Sequence, residues 1–148
     1  MIPPRVVLDT NVCLDAFVFG DPRAATLVAA IEAGEVEAVT RADCRDEWMA
    51  VLAYPTLKLD DARRSHAAGR FDALLRVLPD MSAVTKPPRC RDSDDQKFLE
   101  LAAASGAAIL FSRDAEVLRL ARRTKREGLF DILRPEDWPA FRDADGSR

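Results

Sequence analysis

The sequence predicts an α/β fold in which a mostly parallel sheet is covered by helices on both faces. Short apolar segments rich in β-branched residues alternate with longer amphipathic segments along the chain. Parallel strands need long crossover connections, which helices usually provide, so this alternation favours a parallel sheet. The 148 residues are 48% hydrophobic and 32% charged, which is typical of one globular domain. We therefore expect residues 1–148 to form a single domain.

Five segments are predicted to be strands because they are short and mostly apolar. The clearest is the first, in which Arg5-Val6-Val7-Leu8 ends abruptly at the turn or cap residues Asp9-Thr10-Asn11. The predicted strands are Arg5–Leu8, Val36–Thr40, Met81–Val84, Ala107–Phe111 and Leu129–Leu133.

Helices are predicted where apolar residues recur at helical spacing between start and stop signals. Pro22 stands in the first turn of one helix and Gly34 just beyond its end, and Pro55 stops the next one. The predicted helices run from Pro22 to Ala33, from Asp43 to the residue before Pro55, from Asp60 to Leu78, from Asp92 to about Gly106, from Asp114 through Ala121, and around Trp138 and Phe141.

The charge balance is acidic, which is the opposite of what a nucleic-acid-binding protein usually shows. The net charge is −3 and the isoelectric point is about 5.2, whereas phosphate binding normally draws on Lys and Arg. This objection weakens if part of the acidic excess is concentrated at one spot and is neutralised there by divalent cations. Net charge alone therefore does not decide the partner.

The sequence carries no pattern typical of export or of membrane insertion. Its first residues lack the features of a signal peptide, and its longest nearly apolar stretch, Leu101–Phe111, is too short to cross a bilayer. The cysteines Cys13, Cys44 and Cys90 have neither zinc-site spacing nor a CxxC pair. We therefore expect a cytoplasmic protein with reduced thiols and no membrane partner.

Four carboxylates are predicted to lie at or near the carboxyl ends of the strands, where parallel α/β folds place their ligand sites. Asp9 directly follows the first strand, and Asp114 follows the fourth predicted strand after Ser112-Arg113. Asp95 lies in the first turn of its helix and leans toward the buried side. Glu47 falls inside an apolar stripe of its helix rather than opposite it.

Each of these carboxylates also has a purely structural explanation. Asp9 could cap a turn, Asp114 and Asp92 could be helix N-caps, and Glu47 could pair with an arginine. Gathered together, however, like charges raise one another's pKa unless a cation lies between them. A hard divalent cation with oxygen ligands is the common solution, and phosphodiester hydrolysis uses it to activate water. The cluster therefore indicates a Mg²⁺ or Mn²⁺ site.

Four short segments resemble, in order and spacing, the motifs of the PIN-domain family. The resemblance implies a three-layer α/β/α fold with a central, mostly parallel sheet. It also implies a metal-dependent ribonuclease, often the toxin of a bacterial toxin–antitoxin pair. The matching segments are Val6–Val12 with the first Asp, Asp46–Leu52 with the Glu, Arg91–Ala102 with an acidic run before an apolar helix, and Ile109–Asp114.

Residue roles follow from the same resemblance. It implies that four carboxylates carry catalysis and hold Mg²⁺ or Mn²⁺, that Asp92 shares the metal, and that two polar side chains support the site by hydrogen bonding. The resemblance does not distinguish Asp92 from Asp94 as the additional metal ligand. The catalytic and metal-binding residues are Asp9, Glu47, Asp95 and Asp114, and the supporting residues are Asn11 and Ser112. Ser112 replaces the commoner Thr and keeps the hydroxyl.

Two basic segments are candidates for contact with RNA phosphates. Arg89 and Arg91 border the acidic run, which makes them the predicted substrate-binding residues. For the basic run Arg119–Arg126, a solvated helix end is the preferred interpretation, since cations are favoured at a helix C-terminus.

The alternative function is a catalytically silent PIN-like module that binds RNA or a protein partner, although four intact acidic motifs count against it. A haloacid-dehalogenase-type phosphatase would need a second Asp where Asn11 stands. An antitoxin protein is an expected partner, and so is a second copy of the chain. The homodimer expectation draws on apolar side chains in Tyr54–Leu57 and on Trp138 and Phe141, although the last two could instead complete the core of the monomer.

Overall fold

The central feature of the molecule is a five-stranded parallel sheet. The computed structural model describes residues 2–81 and 86–146, and within them the strand order is β3-β2-β1-β4-β5. Every neighbouring pair is parallel, with Val7 of β1 opposite Val39 of β2 and Leu110 of β4. The strands are β1 (Arg5–Leu8), β2 (Glu37–Thr40), β3 (Leu75–Val77), β4 (Ile109–Phe111) and β5 (Asp131–Leu133).

Helices connect the strands and cover the sheet. A π-helical turn at Asp15–Phe19 continues the first helix, and short 3₁₀ turns precede several of the others. The α-helices are α1 (Thr10–Leu14), α2 (Ala25–Glu32), α3 (Ala42–Leu52), α4 (Asp61–Leu74), α5 (Gln96–Ser105), α6 (Ala115–Leu118), α7 (Ala121–Arg126) and α8 (Trp138–Gly146). Among the residues described, no helix is both long and apolar enough to cross a membrane.

Two apolar clusters lie on opposite faces of the sheet, as strand alternation requires. Val6 and Leu8 of β1 pack in one cluster with α1 to α4 and α8. Val7 of the same strand packs in the other cluster with α5 and α6. The predicted three-layer α/β/α fold is therefore confirmed.

The aromatic core fixes α3 against the sheet and α4. The rings of Trp48 and Phe71 stack at 5.3 Å between centroids, and Phe17 meets Trp48 edge-on at 6.1 Å. Trp48 is almost fully buried. Its neighbour Glu47 is consequently held at a defined position on the helix.

One predicted helix ends earlier in the structure than expected. The helix predicted from Asp60 to Leu78 ends at Leu74, and Leu75–Val77 forms β3. The backbone of this segment pairs with β2, and the amide of Leu78 donates to the carbonyl of Thr40 at 2.9 Å. Sheet hydrogen bonds thus replace the helical ones that leucine spacing had favoured. The strand predicted at 81–84 lies, apart from its first residue, outside the described residues.

The C-terminal aromatic side chains complete the core of the monomer. Trp138 is buried, meets Phe111 of β4 edge-on at 6.3 Å, and stacks with Phe141 at 6.2 Å. Trp138 is therefore not available as an exposed contact for a second copy, and Phe141 is half-buried against it. The three cysteines are buried and unpaired.

Candidate metal-binding site

Asp9 lies at the carboxyl end of the central strand and is held by two hydrogen bonds. It is the N-cap of α1, and its Oδ1 accepts from the amide of Val12 at 2.9 Å. Its Oδ2 accepts from the hydroxyl of Ser112 at 2.5 Å. Only 1% of Asp9 is exposed. Burial raises the pKa of its carboxyl to about 6, against the lowering effect of these hydrogen bonds, and the nearby Asp114 and Asp15 raise it further.

Ser112 joins the ends of the two central strands. It follows β4 directly and is fully buried. Its Oγ donates to Asp9 and accepts from the amide of Asp114 at 3.0 Å. One hydroxyl thereby joins the Asp9 carboxylate to the backbone of Asp114. The supporting role that the family resemblance implies for Ser112 stays a prediction.

Asp114 caps a helix and also belongs to an acidic cluster. As the N-cap of α6, its Oδ1 accepts from the amide of Glu116 at 2.8 Å. One ligand atom from each of Asp92, Asp95 and Asp114 lies within 4.8 Å of the other two. Asp92 likewise caps a turn, accepting from the amide of Asp94 at 3.0 Å. The capping and the clustering explanations therefore apply to the same side chains.

Asp95 carries the strongest sign of an unmet electrostatic requirement. Its Oδ2 is buried and has no hydrogen-bond partner in the described part of the chain. Burial raises the pKa of Asp95 to about 7, Asp114 raises it through its charge and through a side-chain hydrogen bond, and the charges of Asp92 and Asp9 raise it as well. A buried carboxylate oxygen without a partner is costly unless a ligand or ion satisfies it.

Glu47 lies in the same depression but already has partners. Asp9, Glu47 and Asp95 line a depression of about 260 Å³ beyond the strand ends. Oε1 of Glu47 forms an ion pair with Nζ of Lys97 at 2.6 Å, and Oε2 accepts from the hydroxyl of Thr10. The site thus contains one carboxylate neutralised by the protein and several that are not.

The uncompensated carboxylates fit a hard divalent cation. In residues 2–81 and 86–146, no Lys or Arg forms an ion pair with Asp9, Asp92, Asp95 or Asp114. Oxygen donors of this kind suit Mg²⁺ and Mn²⁺. The orphaned oxygen of Asp95 supplies an independent reason for an ion at this point.

Two contacts of the site differ from the sequence-based expectations. Asn11 is exposed and lines the depression, but Asp9 accepts from Val12 and Ser112 rather than from its amide. Lys97, which pairs with Glu47, did not stand out in the sequence. A lysine in the first turn of a helix, where cations are disfavoured, was the signal that could have revealed it.

The two arginines predicted to bind substrate are both exposed, but they differ in their surroundings. Arg89 lines another depression, of about 520 Å³, with Arg41, Lys86 and Gln96. Arg91 lines neither depression. Gln96 holds the loop that carries both arginines. Its Oε1 accepts from the amide of Cys90 at 2.7 Å, and its Nε2 donates to the carbonyl of Pro88.

Arg113 connects the site to the helical layer behind it. It lies between Ser112 and Asp114, forms an ion pair with Asp15, and contacts Glu136 at 2.8 Å. By contrast, among the described residues the Arg119–Arg126 run pairs only locally, as in the i,i+4 contact of Arg123 with Glu127 at 2.9 Å. This supports the solvated interpretation of that run.

Comparisons with known proteins agree with this fold. VapBC2 from Rickettsia felis, solved bound to a DNA fragment from its promoter, has a chain with a similar fold at a TM-score of 0.57 and 12% identity, covering 86% of this chain and 96% of that chain. No curated protein matches the sequence. The sequence profile described as PIN domain matches residues 5–116, a span that includes every carboxylate of the cluster. The protein therefore belongs to the PIN-domain family of nucleases.

Proposed function

We propose that the protein is a divalent-metal-dependent endoribonuclease that hydrolyses phosphodiester bonds of RNA. The observation that carries the proposal is the group of carboxylates beyond the strand ends, which has no protein cation and includes the orphaned buried oxygen of Asp95. Membership of the PIN-domain family supports the reaction class.

In this mechanism Asp9, Asp95 and Asp114 would hold the ion, with Asp92 at the exposed side. The chemistry that Mg²⁺ or Mn²⁺ supplies is activation of water for in-line attack and neutralisation of charge on the leaving oxygen. Ser112 holds the carboxylate of Asp9 and the backbone of Asp114 through one hydroxyl. Held in place before substrate arrives, such ligands lose little freedom during the reaction.

The RNA backbone would reach this centre past the second depression, the one of about 520 Å³ that Arg89 lines. Lys86 and Arg89 line it, and neither forms an ion pair within the described part of the chain. Arg41 lines it too, but its guanidinium is bound to Asp43 at 2.8 Å. Gln96 lies in the same wall, directly after Asp95, so the basic surface adjoins the acidic centre.

The protein would act in the cytoplasm as the toxin of a toxin–antitoxin pair, with an antitoxin protein as its partner. The likeness of its fold to a VapBC2 chain supports this assignment. We also propose a homodimer in which the Tyr54–Leu57 segment contacts the second copy, because Tyr54 is 54% exposed. A mass near 16.4 kDa at every concentration in light scattering would exclude the dimer.

Cleavage of single-stranded RNA in MnCl₂, with an EDTA control, tests the proposed activity. We expect cleavage by the wild type, loss of cleavage in EDTA, and loss in the Asp95→Asn variant in MnCl₂. A protein that binds RNA but cleaves it with neither Mn²⁺ nor Mg²⁺ would instead be the silent binding module. The same assay on single-stranded DNA of equal sequence tests the preference for RNA.

A further inference from the structure

Among the described residues, Lys97 forms an ion pair with Glu47 and with no other carboxylate of the candidate centre. Its Nζ lies 2.6 Å from Oε1 of Glu47, and the Thr10 hydroxyl donates to Oε2. Both oxygens of this carboxylate therefore have a donor within the protein. The Lys and Glu side chains are 20% and 27% exposed, so water screens their attraction less than at an open surface.

Lys97 is held in this place although helix electrostatics disfavour it. It is the second residue of α5, and the N-terminus of a helix carries partial positive charge that repels a cation. Its Nζ also donates to the backbone oxygen of Asp94 at 2.5 Å and lies 5.4 Å from the centroid of the Phe98 ring. Three contacts fix this ammonium at a helix end where positive charge is unfavourable, which indicates that its charge has a role.

The other side of the centre shows the opposite arrangement. Asp92, Asp95 and Asp114 converge within 4.8 Å, and none of them pairs with a Lys or Arg of the described residues. One oxygen of Asp95 is buried without a partner. The chain therefore supplies a cation at Glu47 and leaves the requirement for one at the three aspartates.

We propose that Lys97 is a positioning residue that holds Glu47 in an ion pair and takes the place of a second divalent cation, so that the RNA-free protein binds one ion. This inference rests on the proposed metal centre, in which the aspartate cluster holds that ion. Without the Lys97 charge, Glu47 would be unpaired in the depression that Asp9 and Asp95 also line. Three carboxylates around one depression are donors for a second ion.

Counting bound Mn²⁺ tests this proposal without reference to activity. Titration calorimetry with MnCl₂, and electron paramagnetic resonance of the free ion, both give ions per chain. We expect one ion for the wild type, two for Lys97→Met, and one for Lys97→Arg, which keeps the charge. The double variant Glu47→Gln/Lys97→Met should return to one, because the released carboxylate is gone. Circular dichroism checks folding, and Lys97→Gln replaces Lys97→Met if the latter does not fold.

The possible outcomes separate this inference from the proposed function. Two ions in the wild type, or one ion in a folded Lys97→Met or Lys97→Gln protein, overturns the role of Lys97 while leaving the metal centre intact. A count of two that persists in the double variant overturns the role assigned to Glu47. No binding by the wild type would overturn the metal centre itself.

Discussion

The Asp9→Asn substitution probes the electrostatics of the centre, because it removes one buried charge and almost no volume. Burial raises the pKa of Asp9 from 3.8 to about 6, although hydrogen bonds from Ser112 and Val12 lower it. The unfolded chain releases this proton near its ordinary pKa, whereas the folded protein keeps it up to the raised value. Stability from this group is therefore fully present below pH 3.8 and is lost as the pH rises to about 6.

The magnitude follows from the shift. One pKa unit corresponds to about 1.4 kcal/mol, so a shift of roughly two units corresponds to about 3 kcal/mol. In metal-free protein at about pH 8, ionised Asp9 lowers the free energy of unfolding by this amount relative to its neutral form. Asparagine cannot ionise. We expect Asp9→Asn to exceed the wild type by about 2–3 kcal/mol at pH 8, and to match it within about 1 kcal/mol near pH 4.

Urea unfolding in EDTA at the two pH values measures this difference through the fluorescence of Trp48 and Trp138. Asp46→Asn, which removes an exposed carboxylate from α3, is the matched control and should show no gain that depends on pH. Addition of MnCl₂ should then stabilise the wild type and not Asp9→Asn, because only the former keeps the full ligand set. A variant less stable than the wild type at pH 8 in EDTA would refute an uncompensated buried charge at Asp9.

Three further substitutions test other contacts. Ser112→Ala should lower the free energy of unfolding by about 1.5–3 kcal/mol at pH 8, since it removes a hydrogen bond to the charged Asp9. It should also slow RNA cleavage. If neither the stability nor the cleavage rate changes, Ser112 has no positioning role. Arg89→Glu should weaken RNA binding and flatten its dependence on salt, whereas Arg119→Glu should change neither. Equal effects of the two substitutions would mean that the depression lined by Arg89 does not lie on the path of the RNA. Trp138→Ala should cost about 3–5 kcal/mol in urea unfolding and leave the mass in light scattering unchanged, while a drop in mass would reassign Trp138 to an interface.

The positions of the carboxylates could be predicted because they follow from local signals and one rule of topology. Asp9 comes directly after one apolar strand and Asp114 follows another after Ser112-Arg113, and the carboxyl ends of parallel strands meet at one edge of the sheet. Asp95 precedes an apolar helix, and the structure indeed brings it beside Asp114. When the position of a side chain depends only on the strand or helix that carries it, that position can be predicted from the sequence.

The contacts between distant residues could not be predicted in the same way. Lys97 and Glu47 lie on α5 and α3, and their pairing depends on how these helices approach each other at the sheet edge. Arg113 reaches Glu136 across the end of the sheet, which no local pattern indicates. The boundary at Leu75 failed for a related reason, because pairing with β2 outweighed the helical spacing of the leucines.

The acidic cluster also accounts for the net charge that seemed to argue against a nucleic-acid partner. The chain has 25 acidic and 22 basic residues, which gives the net charge of −3. Setting aside Asp9, Asp92, Asp95 and Asp114 leaves 21 acidic residues against the same 22 basic ones, so the rest of the molecule is close to neutral. Cations bound at the cluster would offset the remaining negative charge. Apart from the cluster, the chain is therefore not the acidic molecule that its net charge suggests, and a salt-dependent approach of RNA past Lys86 and Arg89 is compatible with this balance.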